Sequence, residues 1–170
     1  MAFNSVFALL LQTPFEVTPL PEWLGVIETI LNLLYAVSVN GYLLFILIGF
    51  MVYTTGLSDG FAKGLVVTGI GIYFVGPMFA NFLASAAGLG MLSFDNATAT
   101  WYGVFGLYES QLVALLIAIG DIVAAVCVLV GAILYFNPTS GDLKSRGHSL
   151  VVRALIFAPI LAFLHIAPWI

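Results

Sequence analysis

The 170 residues are 62% hydrophobic and 7% charged, and a formal net charge of −4 arises from only four basic and eight acidic side chains. So few charges cannot keep the surface of a water-soluble domain wet, so the composition points to a bilayer as the solvent. A single cysteine, Cys127, excludes a disulfide framework within the chain, and His148 and His165 lie too far apart in sequence to form a helical ligand pair, so no cofactor or metal is expected.

Residues 1–29 open with a short apolar stretch at 6–11 that lacks a basic flank, and they read as an outer or interfacial segment rather than a signal peptide. Crossing about 30 Å of hydrocarbon takes about 20 helical residues. Four stretches qualify or nearly do: 30–53, 65–89, 111–136 and 154–170, the last of which is short and is expected to begin near Ser149 with Arg153 snorkelling to the interface. The expected fold is all-α and integral to the membrane, with four transmembrane helices arranged as two tandem helical hairpins. The first hairpin covers 30–89, an outer connector covers 90–110, and the second hairpin covers 111–170.

All four basic residues fall at or beside the hairpin turns: Lys63 in the first, and Lys144, Arg146 and Arg153 in the second. By the positive-inside rule both tips face the cytoplasm, and both termini and the connector lie outside. Trp23, Trp101 and Trp169 all fall on that outer side, where interfacial anchors are expected, and Glu28 and Glu109 mark the outer ends of the first and third spans.

Sliding the sequence by 82 positions lays Leu47, Gly49, Tyr53, Ser58, Pro77 and Ala80 on Leu129, Gly131, Tyr135, Ser140, Pro159 and Ala162 without a gap. This is the signature of a duplicated hairpin whose copies share one orientation. Each copy runs through an apolar helix, a Gly-x-x-x-Tyr step, a polar turn with a basic residue, and a second apolar helix: IGFMVYTTGLSDGFAKGLVV, then VGAILYFNPTSGDLKSRGHSLVV. The unit resembles the major pilins of conjugation and type IV secretion systems, which are short apolar hairpins with a basic turn. In the first copy Gly49, Tyr53, Gly56 and Lys63 carry the resemblance, and in the second Gly131, Tyr135 and Lys144, with Pro138 where Gly56 would fall. It implies a subunit stored in the cell membrane and assembled with lipid into an extracellular filament. Nucleic acid would be a cargo without sequence specificity, and Lys63, Lys144, Arg146 and Arg153 would face lipid or the conduit.

Asp121 is the one charge deep in the third span, where a carboxylate is costly and often functional. Asn40, Asn81 and His165 are its candidate hydrogen-bond partners, and helix-to-helix locking is weighed against a proton relay. Gly49 and Gly131 would let helices approach closely, and Pro77 and Pro159 would kink the even-numbered spans at equivalent depths. No nucleophile with a base and no phosphate loop is evident, so the sequence reads as a non-enzymatic homo-oligomer or part of a larger membrane complex. Two other readings share the apolar hairpins: an accessory subunit of an energy-converting or transport complex, and a hydrophobic viral coat or envelope protein.

Overall fold

The computed structural model describes residues 20–136 and 141–166; Glu16, Pro138, Trp169 and the apolar stretch at 6–11 lie outside them. The described residues form six helices and no strand: α1 Leu20–Asn40, α2 Tyr42–Thr55, α3 Asp59–Ala86, α4 Phe94–Phe105, α5 Glu109–Phe136 and α6 Gly141–Ile166. Four of them, α1, α3, α5 and α6, are long and apolar enough to cross a membrane, and α2 is a shorter apolar helix.

The first span differs from the single run expected at 30–53, because its helix starts at Leu20 and is interrupted at Gly41. Gly41 still donates to Val37 O at 2.9 Å, but the next bond tightens to Leu44 N donating to Gly41 O at 3.1 Å, a three-residue step. The Trp101 ring packs at this point: a β-carbon on Gly41 would lie 3.2 Å from Trp101 Cζ3 and 2.7 Å from Val37 O, so the position has room only for glycine. The antiparallel register with α3 nevertheless continues across the break. Gly49 meets Ala62 and Val66, Gly69 meets Tyr42 and Ile46, and Gly76 meets Ser38. Helices α1 and α2 are therefore one bent arm of the first hairpin, and α3 is the other.

The turn between them is built from local chemistry. Gly56 closes α2 at φ 70°, the left-handed conformation that glycine adopts without strain, and donates to Tyr53 O at 3.1 Å. Two residues later Ser58 caps α3 by accepting from Phe61 N at 3.3 Å, and Asp59 places an acid in its first turn.

The second hairpin repeats this packing. A β-carbon on Gly49 would meet Val66 Cγ2 at 2.7 Å, Ala62 O at 3.0 Å and Val66 N at 3.1 Å; on Gly131 it would meet Val151 Cγ2 at 2.8 Å, Gly147 O at 2.8 Å and Val151 N at 3.1 Å. The first arms thus correspond at 82 positions, but Val66 matches Val151, so the second arms correspond at 85. Leu65, Val66 and Val67 align on Leu150, Val151 and Val152 at the same spacing. The ungapped alignment is corrected accordingly: the second copy holds three more residues in its turn region, and Pro77 and Pro159 do not occupy equivalent depths. The structural counterpart of Pro77 is Ala162.

Three other placements depart from the sequence reading. Helix α6 begins at Gly141, well before Ser149, so Lys144, Arg146 and Arg153 project from helix rather than from a turn. Gly147 lies in this early part of α6 and has room only for hydrogen where it meets the backbone of Gly131 and Tyr135, so the polar start of α6 packs closely on α5. The segment read as connector contains α4, capped by Ser93 accepting from Asn96 N at 3.2 Å and packed on α1 through Ala97, Trp101 and Ala36. Trp101 is 1% exposed and so is a packing residue rather than an interfacial anchor, whereas Trp23 on α1 is 52% exposed.

The two hairpins meet through α2, which lies against α5 and α6 in a core of Leu43, Leu47, Met51, Val113, Ile117, Phe157, Leu161 and Leu164. They are offset along their axes. Met51 sits one turn before α2 ends, yet it reaches Gly120, whose β-carbon position lies 3.4 Å from Met51 Cε, and α5 runs on to Phe136. The second hairpin therefore overshoots the tip of the first by about 12 residues, or about 18 Å at 1.5 Å per residue. For the same reason Glu28 and Glu109, both read as outer ends of spans, do not share one level.

Candidate functional site

The polar groups of the described residues gather in two places, the junction between hairpins and the intramembrane pair. At the junction Arg153 of α6 reaches the tip of the first hairpin. Its guanidinium donates to Asp59 Oδ1 at 2.7 Å and Oδ2 at 3.0 Å, a bidentate geometry that fixes orientation as well as charge. The same Nη1 donates to Tyr53 O at 3.3 Å, satisfying a carbonyl at the C-terminal end of α2, where the helix dipole favours a cation. The guanidinium carbon also lies 5.0 Å from the centroid of the Tyr53 ring. One side chain thus ties the end of α2, the start of α3 and the body of α6 together.

The tyrosine of each Gly-x-x-x-Tyr step carries a cation. Lys144 Nζ sits 5.2 Å from the centroid of Tyr135, the counterpart of Tyr53. The residue types at the step were readable in sequence, but the cation's origin was not, because one comes from the same hairpin and the other from the opposite one. Arg146 lines a cavity of about 430 Å³ together with Arg153, Ser149, Thr55, Gly56, Leu134 and Leu150, in the step left by the offset. Lys63 borders a separate, mostly apolar groove with Tyr53, Val67 and Ile156. The four cations read as one turn-side group are therefore distributed over two levels.

Of the candidate partners of Asp121, the structure brings His165 to it, with Nε2 3.3 Å from Oδ2. His165 Nδ1 lies 2.9 Å from Leu161 O, which can only accept, so Nδ1 carries hydrogen. Nε2 of the ring is thereby turned toward the Asp121 carboxyl, across the packed pair of α5 and α6. The couple is about 18 Å along α5 from Glu109 by helical rise. It is half exposed on the outside of the helices, at 51% for the histidine and 49% for the aspartate.

Asn40 and Asn81 do other work. Asn81 donates to Pro77 O at 3.0 Å and accepts from Leu92 N at 3.0 Å, which pins the segment after α3 back onto it. Asn40 is buried beside the Gly41 break, and its Oδ1 and the Trp101 Nε1 have no protein partner. Among the described residues no group of three or more His, Cys, Asp or Glu gathers as a metal site would require. No family model, curated protein or solved structure matches this chain.

Proposed function

We propose that this protein is a structural subunit of a helical, lipid-associated membrane assembly, resembling a duplicated conjugative pilin that forms a filament for transfer of DNA or protein. The observation that supports it is the repeated hairpin contact, Gly49 on Ala62 and Val66 and Gly131 on Gly147 and Val151, which makes the chain two copies of one packing unit. A contact that repeats within one chain can also be repeated between chains, and neither unit needs a cofactor for that. In this reading Lys63, Lys144, Arg146 and Arg153 meet anionic headgroups or the conduit, with the hairpin tips cytoplasmic before assembly and the termini outside. The chain itself carries out no reaction. Electron microscopy of material sheared from intact cells, beside the detergent-extracted membrane fraction, tests the reading. Filaments containing the chain are expected; recovery only in a discrete membrane complex refutes it.

The pair of Asp121 and His165 favours a second reading, an accessory subunit of an energy-converting or transport complex, because two ionisable side chains in contact within spans suit a relay. That reading expects co-purification with larger subunits and loss of their activity on Asp121→Asn.

A further inference from the structure

The interface inside this chain has a twin that is open among the described residues. Within the chain, the knob is the α2 ridge of Leu43, Leu47 and Met51, and it seats in a groove of the second hairpin whose walls include Phe157, Leu161 and Leu164. Both halves of that contact recur through the duplication. The ridge recurs at 82 positions as Ala125, Leu129 and Ile133 on α5, and Leu129 and Ile133 are 62% and 57% exposed. The α5 wall recurs on α1 in part: Tyr35, the counterpart of Ile117, packs on the Trp101 cluster, whereas Leu34 and Ser38, the counterparts of Leu116 and Gly120, stay beside the α3 wall, where Phe157, Leu161 and Leu164 recur at 85 positions as Ile72, Gly76 and Phe79.

Those counterparts are found together. Leu34, Ser38, Ile72, Gly76 and Phe79 line one open groove of about 430 Å³ on the first hairpin, with a nearly apolar lining. It is open because Gly71 stands on its wall with nothing within 4 Å of its β-carbon position, while Gly76, in place of the leucine of the occupied groove, closes the floor against Ser38. Helix α4 covers the neighbouring strip of α1 with Trp101 but leaves this groove free.

The geometry points to a second copy of this chain as the occupant: the ridge of Leu129 and Ile133 on one copy docks in the groove of Leu34, Ser38, Ile72, Gly76 and Phe79 on the next. Ridge and groove lie on different surfaces, so the contact is heterologous and leaves one unused ridge and one unused groove at every stage of growth. Such a contact propagates into an open array instead of closing as a two-fold dimer. The step is set by the internal joint. Met51 meets Gly120, the counterpart of Ser38, so each successive hairpin advances by 13 helical positions, about 20 Å along the helix axes. This deepens the assembly reading and rests on it, adding the contact, its polarity and its spacing.

Disulfide trapping with the full-length chain, purified in detergent and in material sheared from intact cells, tests it in a Cys127→Ser background, since a displacement of about 20 Å per hairpin exceeds what two copies spanning one bilayer could accommodate. A copy carrying Leu129→Cys and a differently tagged copy carrying Phe79→Cys are co-expressed and mildly oxidised, and a mixed dimer bearing both tags is expected. One chain carrying both substitutions is expected to give a ladder of dimers, trimers and higher species. Phe74→Cys, on the same helix but 67% exposed on another face, replaces Phe79→Cys as the control and should lose the mixed product. Products confined to Leu129-to-Leu129 dimers, a double variant that stops at dimer, trapping equal to the Phe74→Cys control, or no product from detergent-purified chains that keep their helical circular dichroism would each overturn the docking. A ladder formed without filaments in sheared material retains the contact and refutes the filament; filaments without a ladder do the reverse.

Discussion

Replacing Gly49 or Gly131 by alanine tests the shared helix contact most directly. On each glycine a new methyl would fall within 2.7 to 3.1 Å of a valine methyl, a backbone oxygen and a backbone nitrogen of the facing helix, too close for ordinary contact, and two of the three atoms are backbone. Overpacking of this kind costs about 1–3 kcal/mol. Alanine regains about 1 kcal/mol of helix propensity, leaving a net loss of up to about 2 kcal/mol for each substitution. Gly71→Ala supplies the opposite sign, because nothing lies within 4 Å of its β-carbon position and only the propensity gain of up to about 1 kcal/mol remains. Unfolding of the purified protein in detergent, followed by circular dichroism, should place Gly49→Ala and Gly131→Ala below the parent by similar amounts and Gly71→Ala at or above it. Should Gly131→Ala prove as stable as Gly71→Ala, the close contact does not hold the hairpin together; should Gly49→Ala and Gly131→Ala differ widely, the two hairpins are not equivalent units.

Arg153→Gln and Asp59→Asn should couple by about 0.5–1 kcal/mol in a double-mutant cycle, the low value reflecting an aspartate that is 47% exposed, and additive effects would show that the pair does not join the hairpins. Trp101→Ala should cost about 3–5 kcal/mol and release α4 from α1, read as new protease cleavage between residues 87 and 108; an unchanged digest would contradict the packing. Removing one member of the intramembrane couple by Asp121→Leu or His165→Leu should destabilise the protein more than removing both together, and a double variant worse than either single change would show that the two do not act as a pair.

The four apolar segments were legible in the sequence because long uncharged runs have few alternatives to helix in lipid. Their ends were less so. The interruption at Gly41 carries no signal in the sequence around it, and the ring that packs there, Trp101, lies 60 residues later in a segment too polar and too short to look like a span. Helix α6 was expected to start late because Asp142, Lys144, Arg146 and His148 resemble turn chemistry, whereas that polar stretch is helical and packs through Gly147 against the backbone of Gly131. The duplication was visible at Gly49 and Tyr53, yet the coincidence of Pro77 with Pro159 concealed three extra residues in the second turn. Only the contacts of Val66 and Val151 expose them. Pairing of Asp121 with His165 was among the candidates on span position alone, while the offset of the hairpins had no sequence signal, because hydropathy reports how long a helix is and not how far it slides past its neighbour.

The bidentate grip of Arg153 on Asp59 has no copy elsewhere in the duplication, since their counterparts are Thr68 and Lys144. A string of these chains would therefore alternate two unlike joints. One is closed by a peptide linker and an ion pair, and the other by apolar side chains alone. Pulled or diluted into detergent, such a string parts at every second joint, so the smallest piece it sheds is a pair of hairpins rather than one. Fusing the repeats in a single polypeptide has, in effect, chosen in advance where the polymer breaks.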